Sequence, residues 1–182
     1  MSNNQIFRNF GDVTRHLAAT QPDRVALTFE GRDTTYGEFE RYTNRVAAAL
    51  LASGVKKGER VAYFGKNSDR YLEIFFGAAK VGAVTTPINW RLAGPELAYI
   101  LQDSRAPILF VGEEFGDTVE QVAGDCPCLK TIVDMDTHGN RPVFRSGGMH
   151  RPKRHLRAMW GATTMSSNST RPARQGGRKA PC

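Results

Sequence analysis

The last quarter of the chain has no acidic residue. Residues 137–182 hold ten Lys/Arg and no Asp or Glu, a net of +10. Residues 1–136 hold 15 Lys/Arg against 18 Asp/Glu, a net of −3. The overall charge of +7 therefore belongs to one segment and says nothing about the rest. Cysteine is scarce, at three residues. Two of them, Cys126 and Cys128, form Cys-Pro-Cys, and one intervening residue is a poor zinc spacing with no second pair to complete a site. Reduced thiols without a metal are expected. The four histidines include three in the tail, and none stands at ligand spacing. No run approaches the ~20 apolar residues that span a bilayer, so no transmembrane segment is expected. Met1 to Asp12 lacks a basic region followed by an apolar one, which argues against a secretory signal and for a cytoplasmic location.

What the first 136 residues do contain is an alternation of strand and helix patterns. Val25 to Phe29 is a β-rich run. A turn over Glu30 to Asp33 and extended chain over Thr34 to Tyr36 suggest a hairpin. Phe39, Tyr42, Val46, Ala49 and Leu50 recur at helical spacing, and Gly54 ends that helix. Arg60 to Phe64 reads as the next strand. Ser68 or Asp69 caps a helix with Tyr71, Leu72, Phe75, Phe76 and Ala79 on its apolar face, followed by Gly82. Ala83 to Ile88 is a further strand, and Pro95 to Ser104 a helix with Leu97, Ile100 and Leu101 inward. Ile108 to Val111 is continuously apolar, as a strand covered on both faces should be. Residues 115–123 read as helix, and Lys130 to Val133 as a short strand. The pattern predicts an α/β fold with a largely parallel sheet.

Several short segments in this order are shared with a known family. Thr35-Tyr36 stands with Glu38, and Gly54-Val55 with Gly58-Glu59-Arg60-Val61-Ala62. Ala79-Lys80-Val81-Gly82-Ala83 follows, then Pro87-Ile88-Asn89 with Arg91-Leu92, Glu96-Leu97 and Asp103-Ser104. From Phe10 to Asp134 the chain resembles the amino-terminal part of the AMP-binding, acyl-CoA synthetase superfamily of adenylate-forming ligases. The resemblance implies a partial N-terminal domain over residues 1–136. It also implies a parent reaction in which ATP and Mg²⁺ convert a small carboxylic or fatty acid to an acyl-adenylate, whose acyl group then passes to CoA. Asn89 and Arg91 follow a strand's carboxyl end, where ligand crevices of open α/β sheets lie. Each either lines the family's acyl pocket or caps its own loop, and neither is assigned a catalytic role.

The resemblance stops at the tail. The family continues with a phosphate loop of the form Y-T-S-G-T-T-G-x-P-K-G, whose amides and lysine hold the triphosphate. Residues 137–182 contain no such loop, and Gly176-Gly177 does not supply one. A changed reading frame accounts for this. Let each codon begin at the third base of a present codon, so that the next residue fixes its last two bases. Asn168-Ser169 then permits CTC for Leu, and Ser169-Thr170 permits TAC for Tyr. Thr170 through Cys182 continue with codons for Thr, Ser, Gly, Thr, Thr, Gly, Arg, Pro, Lys, Gly, Ala and Val. The hidden peptide is LYTSGTTGRPKGAV. Residues 158–168 admit an acidic and then apolar stretch before it. Loss of one base, or gain of two, near residues 136–146 produces this arrangement.

Residues 137–182 are therefore expected to be a disordered, out-of-frame tail, and the chain an inactive fragment that binds no cofactor and no nucleic acid. Two other readings stand beside it. The basic tail, with Arg151-Pro152-Lys153-Arg154, can bind phosphate-rich nucleic acid or mark a nuclear address. The chain can also act as a non-catalytic partner of an intact ligase.

Overall fold

The computed structural model describes Phe7 and residues 9–135. The expected disorder of residues 137–182 lies outside them. A helix not anticipated above opens the fold: α1 spans Phe10–Thr20, with the Asn9 side chain accepting from the Asp12 amide. That cap and Asp12 in the first turn were its sequence signals. The hairpin is present as β1, Val25–Phe29, paired antiparallel with β2, Arg32–Thr35. Its turn is narrower than expected. Only Glu30 and Gly31 lie between the strands, with φ of 49° and 73°, the left-handed pair that a two-residue hairpin turn demands. Tyr36 is not extended chain but the first residue of α2, Tyr36–Ala52. Thr35 and Glu38 form a reciprocal capping box there, which satisfies two amides at the helix start.

Four strands then form a wholly parallel sheet. They are β3, Arg60–Phe64; β4, Val84–Ile88; β5, Ile108–Gly112; and β6, Thr131–Met135. Their order is β4-β3-β5-β6. Between them run α3, Asp69–Lys80; α4, Gly94–Ser104; and α5, Gly116–Val122. The pleat sends alternate residues to opposite faces. Val61 and Tyr63 of β3, with Ile108 and Phe110 of β5, meet Val46, Leu50, Ile74 and Ala78 from α2 and α3. Ala62, Phe64, Leu109 and Val111 meet Leu97 and Leu101 of α4 and Val119 and Val122 of α5. The result is three layers. β5 is buried at every position, as its apolar run requires. β4 is an edge strand with exposed positions, and it tolerates Pro87, which cannot donate to a ladder.

The inner face of α3 differs from expectation. Ile74, Gly77 and Ala78 face inward, Glu73 is buried beside them, and Leu72 is exposed. Tyr71, Phe75, Phe76 and Ala79 are only half-buried. The large aromatics point at neighbouring helices instead of the sheet: Phe75 and Phe76 pack edge-on to Phe10 of α1, and Phe76 to Phe39 of α2. Gly77 permits the close approach of α2. A Cβ there would lie 2.5 Å from the Val46 Cβ and 3.0 Å from the Thr43 carbonyl oxygen. Gly77→Ala is expected to lower stability by about 1–3 kcal/mol. Val46→Ala in the same chain should recover part of that loss, measured by urea denaturation. Full additivity of the two losses would show that the contact does not limit the packing.

The polar core sits on the same helix. Asp69 and Glu73 are 4% and 1% exposed. Arg32 of β2 pairs with Asp69 and ties the hairpin to α3. Arg70 donates through Nη1 to both Glu73 oxygens, at 3.0 and 3.2 Å. Burial pushes the Glu73 carboxyl up to about 7 against the pull of Arg70, and Asp69 pushes the same way. At the other end of α3, Lys80 donates to Glu40 at 2.6 Å and to the Asn44 side chain at 2.7 Å. Burial holds the Lys80 ammonium below its ordinary range, although Glu40 opposes this.

Candidate functional site: the crevice at the carboxyl ends of β3 and β5

The connections that leave β3 and β5 go to opposite faces of the sheet. β3 is followed by α3, in the layer with α2, and β5 by α5, in the layer with α4. Adjacent strands that part in this way open a crevice at their carboxyl ends, and ligands of open α/β sheets sit there. Two glycines border it. A Cβ on Gly65 would meet the Tyr63 hydroxyl at 3.0 Å and the Gly112 amide nitrogen at 3.2 Å. A Cβ on Gly112 would lie 3.3 Å from the Gly65 Cα and 3.2 Å from the Phe115 ring. A Cβ at either position would press its neighbours by a few tenths of an ångström.

Three loops build the rim. After β3, the Tyr63 hydroxyl donates to the Lys66 carbonyl at 2.7 Å and fixes the loop over residues 65–67. Burial raises the Tyr63 phenol above its ordinary range, against the hydrogen bond from Ser68, so this hydroxyl stays a donor. Ser68 caps α3 by accepting from the Tyr71 amide at 3.2 Å. Of the two cap candidates, the structure thus selects Ser68. After β5, Glu114 pairs with Lys66 at 2.7 Å across the crevice mouth, both side chains being more than half exposed. Phe115 packs on Phe64, with ring centroids 5.2 Å apart.

After β4 come the two residues singled out in the sequence. The Asn89 side chain accepts from the Arg91 amide at 3.1 Å, and its carbonyl accepts from Leu92 at 3.1 Å. Asn89 therefore caps its own loop, an Asx-type turn. The Arg91 guanidinium lies 4.2 Å from the centroid of the Trp90 ring. Lys66 Nζ lies 5.4 Å from the same ring, and Phe115 packs at 6.0 Å. Trp90 is the hub of the rim, and sequence reading passed over it, although its place between Asn89 and Arg91 at a strand end was visible. Lys66, Glu114 and the Gly65–Gly112 contact were also missed, because partners 48 residues apart leave no local pattern.

The arrangement can bind a flat or apolar group against Trp90 and Phe115, with cations at hand. No nucleophile among the described residues of the crevice stands with a base beside it. Among the described residues there is no group of three His, Cys, Asp or Glu that could hold a metal. The start of α4 is closed by its own Glu96, which accepts from the Ala93 amide at 2.9 Å. Lys66 is engaged with Glu114, and Arg91 lies on Trp90. No catalytic step follows from the described residues alone. Cys126 is buried, with burial raising its thiol, and Cys128 is half-buried. No helix among the described residues is long and apolar enough to cross a membrane.

Comparison with known proteins agrees with this architecture. The profile of the AMP-binding enzyme family matches residues 14–170. The fatty acid–[acyl-carrier-protein] ligase ScoC of Streptomyces coeruleorubidus is 48% identical over 121 residues, which cover 66% of this chain and 23% of that protein. The long-chain-fatty-acid–CoA ligase FadD13 of Mycobacterium tuberculosis is 35% identical over 129 residues, covering 70% of this chain and 26% of its own. Among solved structures, the anthranilate CoA ligase AuaEII in complex with anthranoyl-AMP superposes with a TM-score of 0.68 at 33% identity, covering 72% of this chain and 25% of that one. The chain spans about a quarter of the length of these relatives. With the parallel sheet, the switch-point crevice and the ordered motifs between Thr35 and Ser104, the match places the chain in the AMP-binding enzyme family, as a segment related to the amino-terminal part of acyl-CoA and acyl-carrier-protein ligases.

Proposed function

We propose that the chain is the N-terminal segment of an acid-activating ligase whose reading frame changes near residues 136–146, and that it does not form adenylates itself. The observation that carries this reading is the peptide LYTSGTTGRPKGAV, which the codons of residues 168–182 permit one frame away. It supplies the phosphate loop in the order in which the family uses it. Each codon leaves few alternatives, so agreement over the whole loop is improbable by chance. The family match itself runs to residue 170, past the proposed change of frame. That match is made on the amino acids as read and does not support a change of frame, so the codons of the tail decide the question.

The parent reaction on this reading is ATP plus a carboxylic acid plus CoA, or a carrier-protein thiol, giving the acyl thioester, AMP and pyrophosphate. The loop amides, its lysine and the metal would meet the charge that develops on phosphate. The crevice rim described above would contribute binding surface: Trp90 and Arg91 as wall, and Asn89 as the residue that sets their loop. On this account residues 1–136 are a partial domain and residues 137–182 an appendage foreign to it.

Thermal denaturation with ATP–Mg²⁺ and a fatty acid, beside an assay of pyrophosphate release, tests the inactivity. A ligand that binds only the native state at a hundred times its dissociation constant adds about 2.7 kcal/mol, a shift easily seen. No shift and no pyrophosphate are expected. An upward shift together with adenylate formation would show a working site in this short chain.

A further inference from the structure

At the opposite end of the sheet from the crevice lies a second concavity, of about 430 Å³. It is built where β3, β5 and β6 begin. The register pairs Val61 with Ile108 and Ile108 with Thr131, so Arg60, Pro107 and Lys130 form a row one residue earlier. Two strand spacings put the Arg60 and Lys130 backbones about 10 Å apart, within converging reach of two long side chains. Arg105, which ends α4, adds a third cation to the lining, and Glu59 is its one acid. The Glu59 carboxylate already accepts from the Lys56 amide at 2.8 Å. Arg60, Arg105 and Lys130 are exposed and have no side-chain hydrogen bond or ion pair among the described residues.

Arg105 also closes the helix in an unusual backbone setting for an arginine. It sits at the C-cap of α4 in the left-handed region, with φ 51° and ψ 30°. Glycine takes this position at less conformational cost, because a Cβ there crowds the backbone. The helix that α4 contributes here ends at this edge of the sheet, so its partial charge is negative and attracts no anion. A ligand held at this place must be multiply charged and bound by the side-chain cations themselves. The cations are confined to the starts of β3 and β6 and the end of α4, which suits one compact group better than a long polyanion.

We propose that the basin formed by Arg60, Arg105 and Lys130 is a binding site for a phosphate or diphosphate group, separate from the crevice of the ligase family. The half-buried Cys128 lines the same basin and reports on it. The test is alkylation of the full chain by neutral iodoacetamide, mapped by peptide mass, with pyrophosphate or with potassium chloride at matched ionic strength. Pyrophosphate should slow alkylation of Cys128 several-fold and leave Cys182, in the basic tail, unchanged. Arg60→Ala and Lys130→Ala should each abolish the protection. Arg105→Gly should abolish it while raising the melting temperature, since it removes both the cation and the backbone strain; this keeps loss of binding distinct from loss of fold. Protection by pyrophosphate and not by phosphatidylglycerol vesicles assigns a free phosphate compound. Protection by vesicles alone assigns a lipid headgroup, and both results support the site. Equal slowing at Cys128 and Cys182, or protection that survives the three substitutions, means screening by an adventitious anion and overturns the proposal, as does no protection by either probe.

Discussion

Arg70→Ala should be among the most damaging single changes in the described fold, and its cost should depend on pH. The substitution leaves Glu73, 1% exposed, without the guanidinium that donates to both its oxygens. Removing one partner of a buried ion pair costs about 3–5 kcal/mol, because the other charge stays buried and uncompensated. That holds while Glu73 is ionised. Its carboxyl is pushed up to about 7 in the fold, from an ordinary value of 4.5. A raised folded value means that the native state binds the proton more tightly. The stability from this group is fully present below about pH 4.5 and is lost as the pH rises through about 7. The shift corresponds to roughly 3 kcal/mol across that window, at 1.36 kcal/mol for each pK unit. Arg70→Ala should therefore be severe at pH 8 and mild at pH 5.5, where Glu73 takes up a proton. Glu73→Gln, a stand-in for the neutral carboxyl, should change stability little near pH 5, raise it at pH 8 and so flatten the pH dependence. Denaturation midpoints at the two pH values decide the matter. An equal loss for Arg70→Ala at both would mean that Glu73 stays charged throughout, held by groups other than Arg70.

This buried pair also shows where sequence reading reaches its limit. A charged residue on a helix is by default exposed, and nothing local marks Glu73 as the exception. Its burial comes from the packing of α3 against the sheet and α2, with the β1–β2 hairpin tied to the helix start through Arg32. The strands were legible because their signal is local: Ile108 to Val111 is apolar at every position, and the structure buries each one. The helices after α1 were legible through spacing and caps, as with Phe39, Tyr42 and Val46 for α2 and Pro95 for α4. The order β4-β3-β5-β6 was not. It depends on which face each crossover covers, and no residue pattern within one element states that. The crevice follows from that order, so Trp90, Lys66 and Glu114 stayed hidden while Asn89 and Arg91, beside a recognisable strand end, did not. Of those two, the structure gives Asn89 a turn-setting role and lays Arg91 on Trp90.

Restoring the frame should produce the other large effect, and it bears on function. A coding sequence repaired by one base near residues 136–146, and continued through what lies downstream, should yield a protein with the loop LYTSGTTGRPKGAV after the β6 region. It should release pyrophosphate from ATP in the presence of a fatty or aromatic acid, against no detectable release from the present chain. Enzymes of ordinary proficiency gain 10⁶-fold or more over the uncatalysed rate, so the contrast is between activity and none. Lysine-to-alanine substitution in the restored loop should remove most of the gain, since that side chain meets the phosphate charge. A repaired protein that folds, melts cooperatively and still releases no pyrophosphate would separate the family membership, which stands, from the proposed ancestry of the tail.

The nucleotide sequence across residues 130–182 and beyond tests the central claim most directly. The account predicts AAC for Asn168, TCT for Ser169, and a third base at each following codon that completes Thr-Ser-Gly-Thr-Thr-Gly-Arg-Pro-Lys-Gly. It predicts an open ligase-like frame after the codon for Cys182. An AGY codon at Ser169, or third bases that spell other residues in the shifted frame, would contradict it, and the basic tail would then have to be explained in the frame in which it is read.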